Sequence, residues 1–213
     1  MPCAPYNSFM RRHTKLNTII FLSSAVLTVI PALLFFCPNA ISQSVPFSPN
    51  QTDTGKYLEH VVPFVPTPTE VVQKMLELAK VQPDDVVYDL GSGDGRIVIM
   101  AAQKFGAHAV GVELDPGLYE KSSQRIRELG LQDRARILHE NMFAVNVRHA
   151  TVVTLYLLTK VNERLRPMLE RQLRSGARIV CHEFQVPGWK PAESIVFTAT
   201  DGVEFKLYLY VRP

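Results

Sequence analysis

The residues with the clearest chemistry stand in one glycine-rich run, Asp89-Leu90-Gly91-Ser92-Gly93-Asp94-Gly95-Arg96, and in one acidic residue beyond it, Glu113. Glycines let a chain turn sharply and approach a ligand closely, and a helix starting at such a turn favours negative charge at its N-terminus. Glu113 closes the next apolar run, where its carboxylate can accept both hydroxyl protons of a ribose held over the turn. A tight turn with an acidic helix start would use the same glycines but has no need of a second acid in register. Together the two features predict nucleoside binding. The spacing is acidic-x-G-x-G-x-G rather than the dinucleotide G-x-G-x-x-G, whose third glycine would fall on Arg96. Asp89 and Asp94 would crowd a pyrophosphate with like charge. They suit a ligand carrying an α-amino group and a sulfonium. No G-K-[ST] follows the turn, which argues against nucleotide hydrolysis.

A second set lies at the ends of later apolar runs. Tyr156 stands at the C-terminal edge of the fourth run, where open α/β sheets place their ligands. Phe64, Phe184 and Trp189 are further candidates for an aromatic wall there, with core packing the competing use of each. His182 and Glu183 end the fifth run, placed either to relay a proton or to form a satisfied strand-end pair. Cysteine chemistry is excluded more easily. Cys3 and Cys37 precede the domain and Cys181 is alone within it, so no disulfide framework and no zinc spacing exists.

The elements that must carry these residues alternate. Thr67-Pro68-Thr69-Glu70 reads as a capping box with Thr67 at N-cap, followed by Val71, Val72, Met75, Leu76 and Ala79 at helical spacing. Val86-Val87-Tyr88-Asp89-Leu90 is an apolar run entering the glycine turn, as a buried parallel strand does. A helix over 96–105, a strand over 109–113, a helix from Asp115-Pro116 to near Gly130, and strands over 135–139 and 151–157 follow. Then come a helix over 161–174 and a strand over 177–183. Asp201-Gly202 between runs 194–200 and 203–211 signals a hairpin. The predicted fold is α/β: a doubly wound, mostly parallel seven-stranded sheet with a C-terminal antiparallel hairpin, preceded by a hydrophobic N-terminal helix.

That preceding segment holds the charge imbalance. The net charge of +3 comes from Arg11, Arg12 and Lys15, because residues 1–50 contain no acid and residues 51–213 are neutral in sum. A neutral domain removes the expectation of a nucleic-acid face. Residues 18–37 are mostly apolar behind those basic residues, long enough as a helix to cross a bilayer core. Residues 1–42 therefore read as a signal peptide, with Ala40-Ile41-Ser42 as a cleavage site, or as an uncleaved membrane anchor; residues 43–56 read as a linker and 57–213 as the nucleoside-binding domain. The basic flank would stay cytoplasmic and send the domain across the membrane. Membrane association or export is expected, with the side of the membrane open.

The run from Asp89 to Gly95 with Glu113 resembles motifs I and II of the class I S-adenosylmethionine (SAM) methyltransferases. Further stretches are similar to a narrower group, the ATP synthase c-subunit lysine methyltransferases and their bacterial relatives: residues 63–68, 88–96 and 154–158, Val161-Asn162, residues 176–184, and Gly188-Trp189-Lys190-Pro191. The resemblance implies SAM as cofactor. It implies that Asp89, Gly91 and Gly93 cradle the methionine end, that Glu113 binds the ribose and that Leu114 packs on the adenine. Asn141 and Met142 would face the adenine edge, although many class I enzymes have Asp where Asn141 stands. Thr67 would touch the methionine carboxylate. The implied reaction is in-line methyl transfer to a deprotonated amine, most naturally a lysine of a protein substrate, itself a candidate membrane protein. The fourth run reads Leu155-Tyr156-Leu157-Leu158 rather than Asn-Pro-Pro-Tyr, which counts against base-nitrogen acceptors and nucleic-acid partners. A lipid or quinone precursor as acceptor, and a non-catalytic SAM-binding module, stay open beside it.

Overall fold

The computed structural model describes residues 64–213; the segments 1–42 and 43–56 lie outside the described residues. Eleven elements follow in order: α1 (Thr69–Leu78), β1 (Val86–Leu90), α2 (Arg96–Phe105), β2 (His108–Glu113), α3 (Pro116–Glu128), β3 (Ala135–His139), β4 (Val152–Leu155), α4 (Thr159–Gln172), β5 (Arg178–His182), β6 (Glu193–Thr198) and β7 (Glu204–Val211). They form one seven-stranded sheet of order β3-β2-β1-β4-β5-β7-β6. The first five strands are parallel, and β7 enters antiparallel between β5 and β6.

The central strands are apolar on both faces because both faces are covered. Val87, Ala109, Val152 and Val180 meet α1, α2 and Ile126 of α3 on one side. Tyr88, Leu90, Val110, Val153 and Leu155 meet Val161, Leu165, Met168 and Leu169 of α4 on the other. Each of the Val, Leu, Ile and Met side chains among them contributes about 1.5–3 kcal/mol when fully buried. No helix links β3 to β4; Val145 and Val147 of that connection sink into the α4 side of the core instead. Among the described residues no helix is long and apolar enough to cross a membrane.

The helix starts show where local signals win and where they lose. Asp115 caps α3 as expected, its side chain accepting from the Leu118 N–H at 2.8 Å. The capping box of α1 does not form. Its N-cap is Pro68, without a side-chain hydrogen bond. Thr67 instead turns its hydroxyl toward His182 Nδ1 at 3.3 Å, and the Glu70 carboxylate accepts from the N–H and hydroxyl of Thr200 in the β6–β7 turn. Both groups find partners distant in sequence, which a local reading cannot weigh.

Candidate active site

The C-terminal ends of β1 and β2 build the first half of the site. The turn after β1 docks on β2 through the Gly91 and Ser92 N–H groups, which donate to the Val112 carbonyl at 2.9 and 3.0 Å. The Glu113 carboxylate accepts from the Gly93 N–H at 2.7 Å and, through its other oxygen, from Leu114 and Asp115 N–H groups at 2.9 and 2.8 Å. Three main-chain donors fix its orientation and leave lone pairs for a ligand. Gly93 holds φ +54, and a Cβ there would collide with the ring of Phe64, which lies across the turn. Glycine is required at that point on both counts.

Asp89 is 3% exposed, and its one side-chain partner is the Thr154 hydroxyl of β4, which donates at 2.7 Å. Among the described residues no cation pairs with it. Burial, with Glu113 and Asp94 adding to it, pushes its carboxyl up to about 7 despite the Thr154 hydrogen bond. Asp94 behaves oppositely. Arg96 donates to both its oxygens, at 2.9 and 2.6 Å, and holds its carboxyl below the usual range. The third guanidinium nitrogen of Arg96 reaches the Thr67 carbonyl at 2.7 Å, tying the turn to the loop before α1. Thus Asp94 is already neutralised by its neighbour, and Asp89 is the carboxylate left for a cation.

A cavity of about 340 Å³ joins these residues to the tip of β4. Thr67, Asp89, Gly91, Gly93, Glu113, Leu114 and Met142 all line it, as does Tyr156 at the far side. Asn141 is not in the lining; its side-chain oxygen accepts from the Phe143 N–H at 3.0 Å and shapes the turn that presents Met142. Tyr156 lies between pocket and core, its ring 3.9 Å from that of His182 and 6.3 Å from Phe184. Burial, helped by the charge of Glu183, raises the phenol, so it stays protonated. His182 is 1% exposed, and burial lowers it to about 4, which keeps the ring neutral. Glu183 stands off the cavity with its carboxylate on the Lys206 N–H at 2.8 Å. Of the aromatic candidates, Phe64 joins Tyr156 in the lining and Phe184 stacks behind it. Trp189 sits instead on α4, donating to Glu170 at 2.8 Å. Among the described residues no group of His, Cys, Asp or Glu is placed to hold a metal ion.

Sequence reading missed two contributors. Arg96 and Thr154 stand in the motif stretches without a role of their own. The Arg96–Asp94 pair is local and could have been weighed, whereas the reach of Arg96 to Thr67 and of Thr154 to Asp89 crosses between elements.

The sheet order, the glycine turn and the strand-end acid define a class I SAM-dependent methyltransferase. The residues fit that cofactor: a buried carboxylate without a cation awaits an ammonium or sulfonium, and an oriented one awaits a diol. The family profile described as the ANTKMT methyltransferase domain matches residues 89–193. A protein-lysine N-methyltransferase of Saccharolobus islandicus is 50% identical over 157 residues, covering 73% of this chain and 96% of that protein. The ATP synthase c-subunit lysine N-methyltransferase of Homo sapiens is 34% identical, covering 61% of this chain and 55% of that protein. A crystal structure described as an RNA methyltransferase from Salinibacter ruber, with S-adenosyl-L-homocysteine bound, is 45% identical at a TM-score of 0.65, covering 70% of this chain and 94% of that one. The chain belongs to the same family of SAM-dependent methyltransferases as the Saccharolobus protein-lysine N-methyltransferase.

Proposed function

We propose that this enzyme methylates a lysine side chain of a protein. The observation that carries the proposal is the shared cavity that joins Asp89 and Glu113 to Tyr156, with Phe64 lying over the glycine turn in the same lining. SAM, when bound, supplies an electrophilic methyl group on a sulfonium with a good leaving group. Asp89 would hold the ammonium of its methionine end, Thr67 would take the carboxylate, and Glu113 would accept the ribose hydroxyls. Leu114 and Met142 would flank the adenine, with Asn141 shaping their loop. The chain then has to align an amine lone pair and leave it unprotonated. An apolar, aromatic approach disfavours the ammonium form and so lowers the lysine pKa. Tyr156 would meet the incoming amine, and alignment is where most of the rate gain lies. His182, neutral and sealed behind Tyr156, would act through Tyr156, and Glu183, held on the Lys206 N–H, would add only a small charge effect on the phenol.

The relatives named for lysine support this reading, and the Salinibacter description favours RNA. The neutral sum of charges in residues 51–213 speaks for protein over RNA, because phosphate contacts demand Lys and Arg. We further propose that the target is a membrane protein and that residues 1–42 bring the domain to a membrane. The apolar run and its basic flank support that, and a reporter fused after residue 213 tests its side. The decisive assay offers methyl-labelled SAM together with membrane protein, total RNA and lipid extract. Recovery of methyl-lysine from acid-hydrolysed protein is expected. Label in RNA or lipid alone would overturn the lysine acceptor, and binding of SAM with no transfer to any fraction would favour a binding module.

A further inference from the structure

Residues 184–189, between β5 and β6, cross beside Tyr156, and one face of α4 grips them at every turn. Asn162 is fully buried, and its side-chain nitrogen donates toward the carbonyls of Leu157, Phe184 and Gln185 at 3.2, 3.0 and 3.3 Å. Four residues on, Arg166 donates to the Pro187 carbonyl at 2.8 Å. Four further, Glu170 accepts from the Trp189 indole N–H at 2.8 Å and lies 3.7 Å from Arg166 Nε. Positions spaced by four share one helix face, so the three side chains form a polar row along the segment. Gly188, at φ +81, lies so close to Arg166 that a Cβ would occupy the guanidinium's place.

The Asn162 amide can point only one way, because exchanging its nitrogen and oxygen would aim an acceptor at three carbonyls. Its oxygen has no partner among the described residues. A buried polar atom left unsatisfied costs free energy that an apolar residue of similar volume would avoid. What the amide gains is a link between the loop carrying Tyr156 and Leu157 and the loop carrying Phe184. None of these bonds touches Asp89 or Glu113.

We propose that Asn162 is a positioning residue for the methyl acceptor: it locks the loop after β4 to residues 184–189, so that Tyr156 and Phe184 hold the acceptor wall in register with the cofactor end. The proposal rests on the reading that the acceptor enters beside Tyr156. Trp189 is the one tryptophan of the chain, so its fluorescence reports on the segment independently of turnover. The experiment compares full-length wild type, Asn162→Leu and Gly188→Ala for SAM affinity by calorimetry, Trp189 anisotropy, and kcat and KM for acceptor. Asn162→Leu removes the donors while keeping volume, and Gly188→Ala displaces Arg166 without opening the core. Both variants are expected to bind SAM within about twofold of wild type, well under the tenfold that 1.4 kcal/mol brings, and to lower Trp189 anisotropy. For Asn162→Leu, kcat should fall by about tenfold to a hundredfold, as a catalytic misplacement on the order of 1 Å produces. A smaller fall is expected for Gly188→Ala. A loosened Trp189 with unchanged kcat, or a kcat that falls only in step with lost SAM binding, overturns the proposal. Should Asn162→Leu fail to fold, Gly188→Ala decides by the same criteria. Wild type that labels RNA or lipid would end the lysine reading separately, and the kcat ratio would then be read on that acceptor.

Discussion

Asp85 and Asp89 are four residues apart around one strand, and both are buried, at 5% and 3% exposure. They face opposite ends of the sheet and opposite fates. At the N-terminal end, Asp85 is paired with Arg178, accepts from the Thr151 hydroxyl at 2.6 Å, and takes the Gln82 N–H at 2.8 Å. Arg178 also reaches the Ala79 carbonyl at 2.7 Å, so β1, β4, β5 and the end of α1 meet in one network. At the C-terminal end, Asp89 has one hydroxyl and, among the described residues, no cation. A carboxylate used for structure comes with its counter-charge supplied. One without a counter-charge is costly to bury, which is why Asp89 is the carboxylate proposed for the ligand.

Substitutions at the two positions should therefore separate stability from binding. The largest effect is expected for Asp85→Asn, which leaves Arg178 without its charge partner: a loss of about 3 kcal/mol in denaturant unfolding, the range for breaking a buried pair. Whatever fraction remains folded should bind SAM normally. Asp89→Asn should reverse the pattern, with SAM affinity by calorimetry down on the order of a hundredfold, as for loss of a buried charge contact, and no loss of stability. The contrast fails if Asp89→Asn destabilises the protein as Asp85→Asn does.

The pH dependence sharpens the same comparison. The folded state raises Asp89 from 3.8 to about 7, so it holds a proton that the unfolded chain releases. Stability from this group is full below the unfolded value and is lost as pH rises through about 7. Melting scans should show Asp89→Asn gaining on wild type between pH 5 and pH 8. Binding an ammonium needs the ionised carboxylate, so SAM affinity should climb with pH by about tenfold per unit below 7 and level off above it. A flat affinity profile would remove Asp89 from the cofactor site. Next in size, Glu113→Gln keeps shape but weakens acceptance of the ribose hydroxyls, for a loss of about tenfold, one charge-assisted hydrogen bond. The smallest effect is expected at Glu183, whose carboxylate already serves the Lys206 N–H: Glu183→Gln should change kcat by less than about twofold, as rim-exposed charges do.

Much of the fold was legible because it depends on short-range patterns. The helix from Arg96 to Phe105 matches its expected bounds, and β3 does likewise. The strands β4 and β5 come out shorter than expected at both ends, β4 by Thr151, Tyr156 and Leu157 and β5 by Ala177 and Glu183. At the C-terminal ends, Tyr156 joins the cavity lining, whereas Glu183, at φ +61, stands off it. The glycine turn and Glu113 were legible for a related reason. Their chemistry needs particular residue types at a spacing set by one strand, one turn and one helix. The acceptor side was less so. Tyr156, His182 and Phe184 stack in space although they come from different strand ends, and Trp189 carries no mark in the sequence that separates it from them.

By itself, then, the sequence determined the order of elements, the apolar faces that bury them, and the glycine turn with Glu113 beside it, because each follows from residue type and local period. Tertiary structure alone decided which polar groups meet. It took Thr67 and Glu70 from a cap they could have formed, buried Asp89 against Thr154, tied Arg96 to the Thr67 carbonyl, and set Asn162 between two loops. Hydrogen bonds and ion pairs act over about 3 Å, and whether two distant residues come that close is settled only when the sheet has assembled.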